Sequence, residues 1–200
     1  MDVRRALADL AEVRGLLATT QRFDGYSGGA AIASGIVAYA AGVVQFATVP
    51  QPHGSAQMAV YLAIWLSCLA FALALNYGAI LAWRLRNPGS LARAQLRTVG
   101  ASILPALAAG GVFTLALALR GLDDLLPGTW CATYALGLFA SRAMVPREVV
   151  YVAVAFGVVG ATLLLVHASP LAWWVMPLAF GSGQISIGVA VMADAETATP

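Results

Sequence analysis

The sequence is poor in charge, and one basic residue type is missing altogether. Only 10% of its 200 residues are charged, all eleven basic residues are arginine, and lysine does not occur. A soluble domain has about 25% charged residues, because polar groups must cover its surface. With 60% hydrophobic residues, this chain has too few polar groups for such a surface. The composition therefore excludes an ordinary soluble domain and indicates a membrane protein.

The sequence also lacks the short motifs that carry common enzyme chemistry. It has no GxxxxGK[ST] loop, no GxSxG or HExxH, and its two cysteines form no CxxC pair. The glycine-rich stretch FDGYSGGAAIASG, residues 23–35, lies in no βαβ unit and so predicts no dinucleotide site. We predict no catalytic residue, no metal site, no cofactor and no nucleic-acid partner. The sequence therefore favours a protein that is not an enzyme.

Long apolar runs are what the sequence has in abundance. A bilayer core about 30 Å thick needs about 20 apolar residues in an α-helix, at about 1.5 Å per residue. Six runs approach this length, and the fourth is the shortest and most polar: residues 28–48, 58–82, 98–119, 128–144, 148–167 and 171–192. The predicted fold class is all-α, a polytopic membrane protein with a six-helix transmembrane bundle over residues 25–200.

The arginines fall on one side of this six-span arrangement. Ten of the eleven precede the first span or lie around the second-to-third and fourth-to-fifth connections, and only Arg120 lies on the other side. The positive-inside rule then places both the N-terminus and the C-terminus in the cytoplasm. We therefore predict a multi-pass protein of the cytoplasmic (inner) membrane, whose first partner is the lipid bilayer.

Residues 1–24 are predicted to form a separate cytoplasmic segment. An apolar stripe recurs there at spacings of three and four, which predicts an amphipathic helix; the stripe consists of Val3, Ala6, Leu10, Val13 and Leu17. The stripe could lie in the inner headgroup layer or pack on the rest of the chain. It could instead bind a protein partner through residues 1–22. The sequence leaves these alternatives open, together with the formation of a homo-oligomer.

A few polar and small residues interrupt the apolar spans. Asn76 in the second span and Gln184 in the sixth carry amides that need a hydrogen-bond partner in hydrocarbon. Both should face the bundle interior, where they bond another helix or line a ligand cavity. Gly181 and Gly188 share a helix face with Gln184. In the first span, small residues recur every four positions, which predicts close packing against another helix.

No Asp, Glu or His lies at the centre of any span, whereas ion-driven transporters usually carry such groups in the membrane. This argues against a driven transporter but leaves a passive pore open. On the side opposite the arginines, a loose set of residues has the side-chain types that ligate copper or haem, without ligand spacing: His53, Met58, Cys131, His167 and Met176. Asp123 and Asp124 on that side are explained better as a solvated turn than as a divalent-cation site.

Residues 13–28 read VRGLLATTQRFDGYSG, and this string resembles the N-terminal segment of small bacterial six-span integral membrane proteins of unassigned function. In that family the segment runs R-x-L-L/M, then S/T-x-R-F, then S-G, and leads into the first span. The matching positions are Arg14, Leu16, Thr20, Arg22, Phe23, Ser27 and Gly28. Such proteins are sometimes encoded beside winged-helix regulators. The resemblance implies a bacterial cytoplasmic-membrane protein with a regulatory or sensory role, and it implies no catalytic residues.

Four of these positions, Arg22, Phe23, Ser27 and Gly28, form a motif where the cytoplasmic segment enters the membrane. We expect Phe23 to close the inner end of the bundle, and Arg22 to pair with lipid phosphate or with the ends of other helices. Ser27 or Asp24 has the side chain typical of the residue that caps the start of the first span.

Three functions follow, in order of preference. The first is a non-enzymatic inner-membrane protein that binds a partner protein, a lipid or a small apolar ligand, with residues 1–22 as the coupling element. The second is a small permease or channel with a polar path past Asn76 and Gln184. The third is a cofactor-bearing redox subunit that uses His53 and His167.

Overall fold

The computed structural model describes residue 23 and residues 25–88, 90–166 and 169–197, with side chains described except at 90–95. Within these ranges all regular structure is helical and no strand occurs. The longer helices are α1 (Gly28–Thr48), α2 (Gly54–Arg86), α3 (Ser90–Leu119), α4 (Leu126–Ala140), α5 (Glu148–Leu165) and α6 (Ser182–Thr197). A 3₁₀ turn, Asp123–Leu125, precedes α4, and a π turn, Pro177–Gly181, leads into α6. The amphipathic helix predicted for residues 1–22 lies outside the described residues.

Five segments are long and apolar enough to cross a membrane: Gly28–Thr48, Gly54–Arg86, Leu96–Leu119, Glu148–Leu165 and Pro177–Thr197. The predicted all-α class is thereby confirmed, and five helices have the length and apolarity that crossing a membrane requires. Helix α4 has 15 residues, which corresponds to about 22 Å at the usual helical rise. Because a bilayer core is about 30 Å thick, the length of α4 alone does not make it a sixth span.

The ends of some helices differ from the ends of the predicted spans, and hydrogen bonds explain two of these differences. Helix α1 coincides with the predicted 28–48, whereas α2 extends beyond 58–82 at both ends. Helix α2 stops before Pro88, and both the backbone N–H and the side-chain amide of Asn87 donate to the Trp83 carbonyl. The last helix begins later than residue 171. The Trp173 N–H donates to the Pro50 carbonyl at 3.0 Å, which holds the preceding residues in turns.

The helices pack in the order α2, α1, α6, α5, α4, α3, and the most extensive contacts join α4 with α5 and α1 with α6. Helix α3 packs mainly on α4 and leaves most of its apolar surface exposed. Such exposure suits lipid contact, because hydrocarbon tails solvate apolar side chains as well as a protein core does.

The two ends of the bundle carry different side chains, and we name them accordingly. The arginine end contains the start of α1, the end of α2 and the turn between α4 and α5; its described arginines are Arg84, Arg86, Arg97, Arg142 and Arg147. The acidic end contains the loops between α1 and α2, between α3 and α4, and between α5 and α6, and it carries Asp123 and Asp124.

Glycines let α1 and the last helix touch along their backbones. A Cβ atom on Gly188 would overlap the Gly28 carbonyl, and a Cβ atom on Gly28 would overlap the Gly188 carbonyl. About two turns further along α1, a Cβ atom on Gly35 would overlap the Gly181 carbonyl. About two turns beyond that, a Cβ atom on Gly42 would overlap the Pro177 ring. Helices approach this closely only where side chains are absent. We call this contact the glycine seam.

Candidate functional site

Phe23 lies at the arginine end and is 4% exposed, although it precedes the first helix. Its ring packs edge-on against Tyr26 and Trp83, with ring centroids 5.7 and 5.1 Å apart. Its backbone N–H donates to the Met144 carbonyl at 3.2 Å. We call the surrounding group the entry cluster, which consists of Phe23, Tyr26, Ile80, Trp83, Leu96, Val99, Ile103 and Met144.

The entry cluster ties the start of the described chain to three distant parts of the bundle. Trp83 belongs to α2, Val99 to α3, and Met144 to the turn that follows α4. Burying a phenylalanine side chain contributes about 2–3 kcal/mol, and edge-on aromatic pairs add about 1 kcal/mol each. Moving Phe23 therefore costs contacts with all three elements at once.

Of the other residues in the membrane-entry motif, Ser27 and Gly28 lie at the start of α1. The Ser27 hydroxyl accepts a hydrogen bond from the Ala30 N–H at 3.2 Å and caps the helix. Gly28 begins the glycine seam. Arg22 and Asp24 lie outside the described residues.

Asn76 lies in an interhelical hydrogen bond. Its amide donates to the Ser34 hydroxyl of α1 at 2.7 Å and to the Ala72 carbonyl of its own helix at 2.9 Å. The Ser34 hydroxyl in turn donates to the Ala30 carbonyl at 2.8 Å. The amide N–H groups thus both have protein acceptors, and the bond to Ser34 holds α2 against α1.

Gln184 also forms an interhelical hydrogen bond. Its amide donates to the Tyr134 hydroxyl of α4 at 2.6 Å. The Tyr134 ring packs against Phe156 and Phe180, with centroids 4.8 and 5.4 Å apart. Gly181 lies nearby, and a Cβ atom there would overlap the Tyr39 ring. Aromatic side chains therefore fill the space beside Gln184.

Asn76 and Gln184 do not come together in one polar site. Asn76 bonds across the α2–α1 contact and Gln184 bonds to α4, and no hydrogen bond links the two networks among the described residues. Two cavities lie at the acidic end, and neither is lined by Asn76 or Gln184. In the described part of the chain, the geometry gives no support to a polar path that passes both amides.

Gln45 is a polar residue that the sequence analysis did not select, and its side chain is fully buried. Its amide N–H donates to the Leu171 carbonyl at 2.9 Å, and its carbonyl accepts from the Trp65 indole N–H at 2.8 Å. These bonds join α1, α2 and the turns before the last helix. Helical periodicity could have indicated that Gln45 is buried, because it lies on the same face of α1 as the buried residues Ala38 and Gly42.

The residues proposed as copper or haem ligands do not form a metal centre among the described residues. No group of three or more His, Cys, Asp or Glu side chains there is arranged to hold a metal ion. Cys131 is buried in one core cluster, whereas Met58 and Met176 are buried in another. His53 is exposed at the acidic end. His167 lies outside the described residues.

Asp123 and Asp124 lie in the 3₁₀ turn at the acidic end. Partial burial, and secondarily the negative charge of Asp124, raises the pKa of Asp123 above its ordinary value. An ion pair with a cation would have lowered that pKa. The shift therefore has the direction expected where burial and a like charge outweigh any attraction by a cation.

No protein-family model, curated protein or solved structure matches the chain.

Proposed function

We propose that the chain is a non-enzymatic six-span protein of the bacterial cytoplasmic membrane that binds a partner protein through its cytoplasmic N-terminal segment, residues 1–22. The burial of Phe23 carries the proposal. Phe23 directly follows that segment in the sequence, and its side chain packs on α2, α3 and the turn after α4. A partner that pulls on the segment, or a change in bundle packing, would then act through the entry cluster. Such coupling suits a regulatory or sensory role.

In this proposal the fourth predicted span, residues 128–144, also crosses the membrane and brings the number of spans to six. At the acidic end, the Trp130 ring of α4 stacks on Tyr61 with centroids 6.2 Å apart. At the arginine end, the turn that continues α4 reaches Met144 and Phe23. Because α3 and α5 flank α4, most of its length is shielded from lipid. A shielded helix does not need the length and uniform apolarity of a lipid-facing span.

The orientation in this proposal rests on the arginines. All described arginines except Arg120 lie at the arginine end. Cytoplasmic loops of membrane proteins carry the excess of arginine and lysine. The arginine end, together with residues 1–22 and the C-terminus, is therefore assigned to the cytoplasm, and the acidic end to the opposite side of the membrane.

The test is gentle purification of the tagged full chain from native membranes, with quantitative mass spectrometry of the proteins that accompany it. A variant that lacks residues 1–22 is purified in parallel. The proposal expects the truncated variant to keep its helical content and melting temperature while losing at least about tenfold of one specific co-purifying protein. A reciprocal purification with the tag on that protein should recover the full chain.

Two outcomes would contradict the proposal. In one, the full chain and the truncated variant retain the same proteins in the same amounts. In the other, both retain the same lipid or small apolar molecule and no protein depends on residues 1–22, so that the bundle alone is the binding element.

A further inference from the structure

The connection between α2 and α3 at the arginine end is short and brings basic residues together. Helix α2 ends at Arg86 and α3 begins at Ser90, so three residues separate the two helices. Trp83 of α2 and Val99 of α3 both belong to the entry cluster, so the last turn of α2 lies beside the N-terminal part of α3. Two arginines lie in that last turn and one in that part of α3: Arg84, Arg86 and Arg97. We call these three the hairpin arginines.

The hairpin arginines have no acidic partner among the described residues. The Arg84 guanidinium donates to a backbone carbonyl at the end of its own helix, which is a neutral acceptor, at 2.8 Å. Arg86 and Arg97 are exposed. Elsewhere at the same end, Arg147 pairs with Glu148 at 3.3 Å. The positive-inside rule explains why arginines collect at one end of a membrane protein, but it does not explain why those of the α2–α3 hairpin are left without a carboxylate.

Arg97 lies at a depth where a charge needs a partner. It is the second residue of the apolar segment Leu96–Leu119, which is long enough to cross a membrane, so its backbone lies at the edge of the hydrocarbon layer. A guanidinium is costly in hydrocarbon unless its long side chain reaches the headgroup layer or an opposite charge. Since no carboxylate of the described chain pairs with Arg97, the opposite charge that the headgroup layer offers is a lipid phosphate.

Exposed apolar side chains continue the line of Arg97 along α3. Residues spaced by three and four positions lie on one face of a helix, and this face carries Ala101, Leu104, Ala108 and Leu115, all of them exposed. Leu104 and Leu115 expose 58% and 62% of their surface. Below the charge of Arg97, an amphipathic ligand therefore finds an apolar helix face about 27 Å long, at the usual rise per residue.

This combination of charge and apolar surface discriminates among anions. A free phosphate matches the arginines but not the apolar face of α3. A zwitterionic phospholipid carries its own ammonium group, which already compensates its phosphate. An anionic phospholipid has an uncompensated phosphate and two acyl chains, so it matches both features. Arginine binds phosphate oxygens through paired N–H donors, and basic residues between membrane helices are typical of sites for anionic lipid headgroups.

We propose that the hairpin arginines bind the phosphate of one anionic phospholipid whose acyl chains lie along the exposed face of α3. Arg97 reaches the phosphate from the edge of the hydrocarbon layer, and Arg84 and Arg86 reach it from the end of α2. Trp83, whose ring packs on Phe23, holds this end of α2 in place. The site depends neither on the proposed partner of residues 1–22 nor on the side of the membrane that the arginine end faces.

The test is native mass spectrometry of the purified full chain, delipidated in an uncharged detergent and titrated with phosphatidylglycerol. Three comparison probes separate the contributions. Phosphatidylcholine with the same acyl chains has a compensated phosphate, oleate has a negative charge and a chain without phosphate, and glycerol 3-phosphate has the headgroup chemistry without chains.

The variants are R97Q and the double substitution R86Q/R97Q. The matched control is R142Q/R147Q, which removes the same charge from the turns between α4 and α5 at the same end of the bundle. Far-UV circular dichroism melting checks that each variant is folded, and R97Q alone measures the site if the double variant is unstable.

The proposal expects saturable binding of one phosphatidylglycerol, weakened about fivefold in R97Q and at least about tenfold in R86Q/R97Q. The R142Q/R147Q control should stay within about twofold of the unchanged chain, and each comparison probe should bind at least about tenfold more weakly than phosphatidylglycerol. Three results overturn the proposal: equal binding of phosphatidylglycerol and phosphatidylcholine or oleate, an equal loss in the hairpin variants and the control, or glycerol 3-phosphate that binds as tightly as the lipid, which would indicate a site for free phosphate.

Discussion

The two ends of the bundle differ in how completely side chains fill the space between the helices and loops. At the arginine end, aromatic and apolar side chains around Phe23 close the space between α2, α3 and the turn after α4. At the acidic end, loops from three parts of the chain leave a cavity of about 360 Å³, and the buried Gln45 amide holds one of these loops by donating to the Leu171 carbonyl. The difference is that packed side chains close the arginine end, whereas the loops of the acidic end leave a concave surface.

The largest predicted effect concerns the glycine seam, which supports both ends. Replacing Gly188 by Leu forces α1 and the last helix apart, because even a Cβ atom there overlaps the Gly28 carbonyl. We expect a loss of about 4 kcal/mol or more in unfolding free energy, with disruption of both ends. The matched control is Gly78→Leu, since Gly78 lies in α2 with no atom near the added Cβ. Equal melting temperatures for the two variants would contradict the close contact.

The next effect concerns the arginine end alone. Replacing Phe23 by Ala empties the centre of the entry cluster and should lower the unfolding free energy by about 3 kcal/mol. Phe71→Ala is the control, because Phe71 is 65% exposed on α2 and should cost less than about 1 kcal/mol. Denaturant titration followed by tryptophan fluorescence measures both. In the Phe23 variant, protease protection of the loops at the acidic end should stay unchanged, and a parallel loss there would show that the two ends are not separate.

Replacing Gln45 by Leu tests the acidic end in the same way. The substitution leaves the Trp65 indole N–H and the Leu171 carbonyl without their buried partners, which should cost about 2 kcal/mol. Gln57→Leu is the control, because Gln57 is exposed and bonds only the backbone of the neighbouring loop. We expect protease protection of the acidic-end loops to fall in the Gln45 variant and to stay unchanged in the Gln57 control. If protection stays unchanged in the Gln45 variant, or falls equally in the control, Gln45 does not hold these loops.

A smaller loss of stability is expected when the hydrogen bond of Gln184 is removed. Replacing Gln184 by Leu removes its hydrogen bond to Tyr134 and should cost about 1 kcal/mol. Because aromatic side chains fill the space beside it, we expect no solute flux in proteoliposomes from either the unchanged chain or the variant. Flux through the unchanged chain that disappears in the variant would favour a small permease instead.

The smallest effect is the pH dependence of Asp123. Its pKa is raised in the folded chain by burial and by Asp124, so the folded state holds this proton more tightly than the unfolded state does. The ionised carboxylate therefore costs stability, and this cost grows as the pH rises through the folded-state pKa. Because the group is only partly buried and solvent screens its charge, D123N should stabilise the chain at pH 7 by less than about 1 kcal/mol.

A measurement of the same variant at a second pH sharpens this prediction. The gain in thermal stability should vanish near pH 3, where the carboxyl group of the unchanged chain is protonated in both states. If D123N lowers the melting temperature at pH 7, the carboxylate has a compensating partner and the sign of this account is wrong.

Much of the fold could be predicted because the relevant forces are local in the sequence. The apolar run that becomes α1 begins at Gly28 and ends at Thr48, as predicted, because Ser27 caps its start and the polar loop ends it. The all-α membrane class follows from the scarcity of charge. These features depend on length, composition and neighbouring residues, which a single sequence contains.

The rest depends on contacts between distant residues. The sequence analysis did not select Gln45, because an amide near the end of a span is common. Its partners Trp65 and Leu171 are brought to it only by the fold. The delayed start of the last helix has the same origin, since Trp173 bonds Pro50 more than a hundred residues away. The cavity needs three separate loops. In contrast, Phe23 was singled out from its sequence motif, and the structure adds which elements surround it.

The most direct measurement of the central claim is site-specific photocrosslinking from the N-terminal segment in native membranes. A benzophenone amino acid replaces Leu10 in the full chain, in the Phe23→Ala variant and in the Phe71→Ala control. The account predicts one discrete protein adduct in the full chain and the control, reduced at least about fivefold in the Phe23→Ala variant. Adducts to lipid alone, or an equal yield of the protein adduct in all three, would contradict it.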